Sequence, residues 1–141
     1  MLLEVKNLQI KLKNNEKKII KNSNFSMKKN TCLGILGESG SGKSLTCKSL
    51  LNILNKNFDV SGEIIFEGKD LLKFSQTEMR EIRGKDICMI VQNPMTSFDP
   101  LYTIENQMIE TFLEHKNFSQ QEAVNLAKES LEKMRLKDID S

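Results

Sequence analysis

Cysteine is scarce in this chain of 141 residues, and Cys32, Cys47 and Cys88 show none of the paired short spacings of zinc or thioredoxin-type sites. Their odd number and apolar neighbours exclude a disulfide framework and make them expected small core residues in a reducing compartment. Charge of one sign is also lacking. A net charge of +2 and a pI near 8.4 create no field that would imply a nucleic-acid partner. Lys11, Lys13, Lys17, Lys18, Lys21, Lys28 and Lys29 make the N-terminal part locally basic, but they gather around apparent turns, as a solvated surface does. No apolar run approaches the ~20 residues of a membrane helix, and the N-terminus lacks a signal peptide's apolar block. The chain is therefore expected to be soluble and to meet any membrane through a partner. Internal repeats and low-complexity tracts are missing too. Its length is that of one ordinary domain, enough to bury a core.

What the sequence does contain is Gly37-Glu38-Ser39-Gly40-Ser41-Gly42-Lys43-Ser44, which fits the pattern Gly, any four, Gly-Lys-Ser/Thr of loops that cradle phosphate. Gly37, Gly40 and Gly42 allow positive φ and a close backbone approach to an anion, and the local amides can form an anion nest. A helix dipole contributes about 0.3–2 kcal/mol towards phosphate. A charge-assisted bond from Lys43 is worth about 1.5–3 kcal/mol, so the lysine outweighs the dipole. Ser44 offers a hydroxyl that can ligate Mg²⁺ alongside phosphate oxygens. The context agrees. Thr31-Cys32-Leu33-Gly34-Ile35-Leu36 reads as a buried parallel strand, and Cys47, Leu50, Leu51 and Leu54 recur at helical spacing after the loop.

The remaining chain reads as α/β. Leu3, Val5, Leu8, Ile10 and Leu12 sit largely two apart, interrupted at Lys6-Asn7, as in two strand segments or one bulged strand. Asn14-Asn15-Glu16 breaks the pattern, and Ile19-Ile20 and Phe25-Ser26-Met27 resume it, so an antiparallel layer precedes the phosphate loop. Asn55 to Asp59 is polar and irregular, and Gly62 to Gly68 predicts a short strand. Ser75-Gln76-Thr77-Glu78 is a capping box opening a helix that Gly84 can close. Ile87-Cys88-Met89-Ile90-Val91 predicts a second buried parallel strand. Gln92 follows at its carboxyl end, where open α/β sheets place ligands. Gln92 to Pro100 reads as a loop, Thr103 to His115 as a helix with His115 on its surface, and Ser119-Gln120-Gln121-Glu122 as a second capping box. The helix after it places Ala123, Ala127, Leu131 and Met134 on one face.

A phosphate loop at 37–44 and a glutamine closing an apolar strand at 92 resemble the front half of an ABC transporter ATPase subunit. Residues 37–47 and Gln92-Asn93-Pro94-Met95-Thr96-Ser97-Phe98-Asp99-Pro100-Leu101 are similar to the dipeptide, oligopeptide and nickel importer branch, with Ser44-Leu45-Thr46-Cys47 and Phe98 leaning towards nickel-import ATPases. The resemblance implies a P-loop NTPase core with an N-terminal antiparallel β layer over residues 1–91, and a switch loop with the start of a helical subdomain over 92–141. It implies ATP and Mg²⁺ as ligands, with Gly37, Glu38, Ser39, Gly40, Ser41, Gly42, Lys43, Ser44 and Gln92 around the nucleotide. Ser44 and Gln92 would reach Mg²⁺, and Gln92 would also position the attacking water. The implied partners are a second ATPase subunit, as homo- or heterodimer, and transmembrane permease subunits. A solute-binding protein would act indirectly, and the whole would sit at the cytoplasmic face of the membrane.

Met95, Phe98, Leu101 and Tyr102 are the loop's apolar residues, readable either as anchors for the permease or as packing beneath the next helix. Two departures from the family pattern matter. Leu12 stands where an aromatic usually stacks on adenine, and the chain stops at Ser141 without a Leu-Ser-Gly-Gly-Gln-type signature or an apolar strand ending in Asp-Glu. Lacking the catalytic carboxylate, these residues are expected to bind nucleotide and not to hydrolyse it alone, although the full subunit would be an ATPase. The alternatives are a non-catalytic nucleotide-binding module and a non-transport ABC ATPase.

Overall fold

Strand β1, Leu3–Leu12, is the axis of the four-stranded sheet, because its apolar positions are consistently covered and its neighbours lie on both sides. In this computed structural model, residues 1–14, 17–115 and 118–135 are described, and the chain divides into two compact units, Met1–Cys88 and Met89–Ser141. In the first unit β1 pairs antiparallel with β2, Lys18–Met27, and with β3, Phe58–Phe66. Strand β4, Lys69–Asp70, completes the order β2-β1-β3-β4.

The interruption at Lys6-Asn7 is a bulge within one strand. Asn7 takes a left-handed φ of 50°, its N–H donates to Asn24 Oδ1 at 2.8 Å, and the β1–β3 register shifts between Lys6 and Gln9. A bulge adds one residue, which returns Leu8 and Ile10 to the face already occupied by Leu3 and Val5. All four are buried there. Gly62 lies opposite at a φ of 106°, and a Cβ on it would come within 2.7 Å of the carbonyl oxygens of Lys6 and Asn7. Strand β3 begins earlier than its glycine bracket suggests. Phe58 pairs with Leu12, and Asp59 pairs with Lys11, so the polar Asn55–Asp59 stretch is partly laddered.

Helix α1, Lys43–Leu50, follows the glycine-rich loop. It ends before its apolar stripe does. Asn52 turns left-handed at a φ of 50°, and Asn52 and Ile53 donate to the carbonyls of Ser49 and Lys48, a closure that stops a helix. Leu54 still packs against the core, though not from the helix. Helix α2, Gln76–Ile82, starts at the expected capping box, with Ser75 and Glu78 bonded reciprocally. Gly84, with a φ of 79°, follows its end. Met79 on α2, Leu71 of the short turn before it, and Ile64 of β3 join the β1 residues in one buried cluster. Each such side chain contributes about 1.5–3 kcal/mol.

Two expected strands are not formed. Residues 31–36 have no ladder partner among the described residues and lie exposed, with Leu36 at 96%. Residues 87–91 show a single bridge, Arg83 to Ile87, and Ile90 is exposed. Their apolar composition suits a position between two neighbours in a parallel sheet, but a strand exists only where another strand bonds to it. The cysteines share this outcome. Cys32 and Cys88 are exposed and Cys47 is half-buried, so the reading of all three as core residues is corrected.

The second unit is a helical pair: α3, Ile104–His115, and α4, Gln120–Lys133, with Ile109, Ala123 and Ala127 buried. Ser119 and Glu122 form the second capping box as expected. Leu131 is half-buried, while Met134 ends the helix exposed, so the apolar face is shorter than its spacing implied. The side chain of His115 and residues 15 and 16 of the expected turn lie outside the described residues.

Candidate functional site

The loop from Gly37 to Gly42 closes on itself before entering α1. Ser41 N–H donates to the Glu38 carbonyl at 3.2 Å, and a Cβ on Gly37 would come 2.7 Å from Ser41 Oγ. Gly40 and Gly42 hold left-handed φ values of 78° and 97°. Gly42 is the N-cap of α1, and a Cβ there would collide with Ile20 Cδ1, so the helix entrance is seated directly on β2. The Gly42 carbonyl accepts from Thr46 N–H at 2.8 Å and from Thr46 Oγ1 at 3.1 Å, which locks the first helical turn.

No side chain caps the start of α1, and its first turn holds no acidic residue. The first N–H groups of a helix have no intrahelical acceptor, and the dipole's positive end lies there. This opening therefore lacks the anionic or oxygen partner that Asp70, Ser75 and Ser119 give the starts of the Leu71–Lys73 turn, α2 and α4. Lys43 completes the arrangement. Its Nζ donates to the carbonyls of Gly37 and Glu38, each at 2.7 Å, so the loop curls around an ammonium held by two neutral oxygens. A phosphate oxygen offers that ammonium a full negative charge in place of a carbonyl dipole, and the charge-assisted bond is about twice as strong. Ser44, the next residue of α1, is exposed.

Of the residues singled out in the sequence, Gly37 through Ser44 are thus gathered by one loop in the first unit. Gln92 belongs to the second unit, exposed just before the turn Pro94–Ser97. Among the described residues no cluster of three or more His, Cys, Asp or Glu could hold a metal. Mg²⁺ at this loop would draw its remaining oxygens from phosphate and water, as this ion commonly does. Of the apolar residues in the 92–102 loop, Leu101, Met95 and Tyr102 are 86%, 74% and 60% exposed, whereas Phe98 is the most covered at 39%.

Two supporting residues were not legible beforehand. Ile20 abuts Gly42, yet its alternation in sequence signals only a strand face. Arg83 donates from Nε to the Leu51 carbonyl at 2.8 Å and from Nη2 to the Asn52 carbonyl at 2.9 Å. A cation there satisfies open carbonyls at the far end of the phosphate-loop helix and complements its dipole.

A glycine-rich helix entrance with a lysine curled into the preceding loop defines the P-loop nucleotide-binding class. The sequence profile of the ABC transporter family matches residues 20–141. The chain belongs to that family. It is 40% identical over 137 residues to the metal-staphylopine import system ATP-binding protein CntD of Staphylococcus aureus, covering 97% of this chain and 51% of that protein. It is 40% identical to the dipeptide transport ATP-binding protein DppD of Lactococcus lactis, covering 99% and 41%. With the oligopeptide transport ATP-binding protein OppD of Bacillus subtilis it shares 42% identity, covering 93% and 38%. The chain spans about half the length of these curated relatives, or less. Among the described residues no helix is long and apolar enough to cross a membrane.

Proposed function

We propose that this chain is the nucleotide-binding part of an ABC importer ATPase subunit, which couples binding and hydrolysis of Mg-ATP to the uptake of peptides or of a metal such as nickel, free or chelated. The observation that carries the reading is Lys43, drawn into the 37–42 loop at an uncapped helix start. The amides at the start of α1 and the Lys43 ammonium hold the β and γ phosphates. Ser44 would ligate Mg²⁺, whose charge would offset that of the phosphates, and the family resemblance gives Gln92 of the switch loop the part of a second ligand. As a ligand Gln92 would offer a neutral amide oxygen, which brings no negative charge of its own. Residues 1–141 contain the loop and this glutamine but not the apolar run ending in Asp-Glu that the family uses to orient the nucleophile, so they are expected to bind without turning over. Hydrolysis belongs to a dimer of complete subunits at the cytoplasmic face of the membrane. Met95, Leu101 and Tyr102, exposed on one loop, are the anchors for the permease. Relatives named for dipeptide, oligopeptide and metal-staphylopine import support the importer reading.

The test is a calorimetric titration of Mg-ATP. Lys43→Ala is expected to weaken binding by about one to two orders of magnitude, the loss of a charge-assisted bond. An unchanged affinity would remove the proposal's basis.

A further inference from the structure

The loop that displays Leu101 and Tyr102 is held from beneath by a single amide. Gln107, half-buried in the first turn of α3, accepts from Asp99 N–H at 3.0 Å through Oε1. Its Nε2 donates to the carbonyls of Asp99 and Tyr102, each at 3.0 Å, and reaches the Thr103 carbonyl at 3.5 Å. Asp99 adds a local turn, its Oδ1 accepting from Leu101 N–H at 2.9 Å, and Tyr102 N–H donates to the Asp99 carbonyl at 3.3 Å. Thr103 Oγ1 accepts from Asn106 N–H at 3.2 Å and fixes the entrance to the helix. The backbone between 99 and 103 is thus pinned at both ends by one residue. A side-chain amide can do this because it both donates and accepts, whereas an ionised carboxylate cannot donate and an ammonium cannot accept.

Backbone pinned in this way cannot collapse its apolar side chains inward. Leu101 and Tyr102 stay in water although burial would favour them, and a loop ordered in advance loses less entropy when a partner closes on it. We propose that Gln107 is the positioning residue that presents Leu101 and Tyr102 to the permease. This rests on the reading of residues 95–102 as the permease contact, and it adds which residue sets that contact's shape.

The experiment uses the complete subunit co-expressed with its permease subunits, and measures permease affinity and Mg-ATP affinity in parallel. Gln107→Leu keeps the side chain's size and removes all the amide bonds. It is expected to weaken permease association about tenfold while Mg-ATP binding stays within about twofold. Gln107→Glu keeps the acceptor and loses the donors. Its association is expected to be impaired at neutral pH and to recover relative to wild type below about pH 5, when the protonated carboxyl can donate again. Leu101→Asp is the control for the contact itself. If it weakens association and Gln107→Leu does not, the positioning role is wrong and the contact stands. If Leu101→Asp assembles as wild type, the contact reading fails. Should Gln107→Leu not fold, Gln107→Glu decides, and a defect that persists on acidification overturns the proposal.

Discussion

Adding one methyl group at Gly42 tests the geometry of the phosphate loop more sharply than deleting a charge. Gly42 caps α1 at a φ of 97°, a region that costs an L-residue about 1–2 kcal/mol. The new Cβ would also run into Ile20 Cδ1 and lie 3.5 Å from Ile20 Cγ1. Because Cδ1 is the free end of a rotatable side chain, the clash is relieved by an off-rotamer isoleucine at about 0.5–1.5 kcal/mol. The backbone term is therefore the larger of the two. Together they amount to about 1.5–3.5 kcal/mol, which lowers Mg-ATP affinity by about ten- to a few hundredfold if the loop must hold this shape to bind. The assay is calorimetric titration of Gly42→Ala with and without Ile20→Val, which deletes Cδ1 and nothing else. Ile20→Val should return only the smaller part, a factor of about two to ten. Wild-type affinity in Gly42→Ala, or its full restoration by Ile20→Val, would refute the claim that a left-handed entrance to α1 shapes the site.

The remaining predictions concern core, caps and switch loop. Ile64 is fully buried in the sheet, so Ile64→Ala should cost about 2–5 kcal/mol, read from denaturant midpoints at constant m-value. Glu78 accepts from the backbone and then the hydroxyl of Ser75, which holds its carboxyl below the ordinary range. Its stabilisation is present above the unfolded pKa and is lost as pH falls through the folded one, so the gap in Tm between wild type and Glu78→Ala should narrow from about pH 5 downward. A gap that widens on acidification would reverse the sign of the argument. Gln92→Ala in the complete transporter should leave ATP affinity within a few-fold and depress transport-coupled turnover, measured as phosphate release in reconstituted vesicles.

Features written in local order were readable in the sequence. The phosphate loop, both capping boxes and the start of α1 depend on residues a few positions apart, and each lies where its pattern placed it. The bulge at Asn7 left a local mark as well, a break in strict alternation. Features that depend on distant partners were not readable. Residues 31–36 and 87–91 have a buried strand's composition, but composition does not supply the neighbouring strand, and with no ladder Cys32 and Cys88 lie exposed. Phe58 and Asp59 extend β3 into a polar stretch because Leu12 and Lys11 lie opposite them, and nothing in Asn55–Asp59 encodes that. The same holds for the contact of Ile20 with Gly42, and for Arg83, whose two carbonyl acceptors, Leu51 and Asn52, lie more than thirty positions away. Gln107 is an intermediate case. Its partners are only four to eight residues off, yet no pattern distinguishes a glutamine that holds a loop from one that faces water.

The central claim is that the 37–44 loop recognises the far phosphates of a nucleotide, and comparing ATP with AMP tests it most directly. AMP presents the same base and sugar but cannot place β and γ oxygens on the Lys43 ammonium or at the start of α1. Titrated in Mg²⁺ against the complete subunit, ATP should bind at least about tenfold more tightly than AMP, and Lys43→Ala should erase most of that difference. Equal affinities for the two nucleotides, or a preference for ATP that survives Lys43→Ala intact, would contradict it.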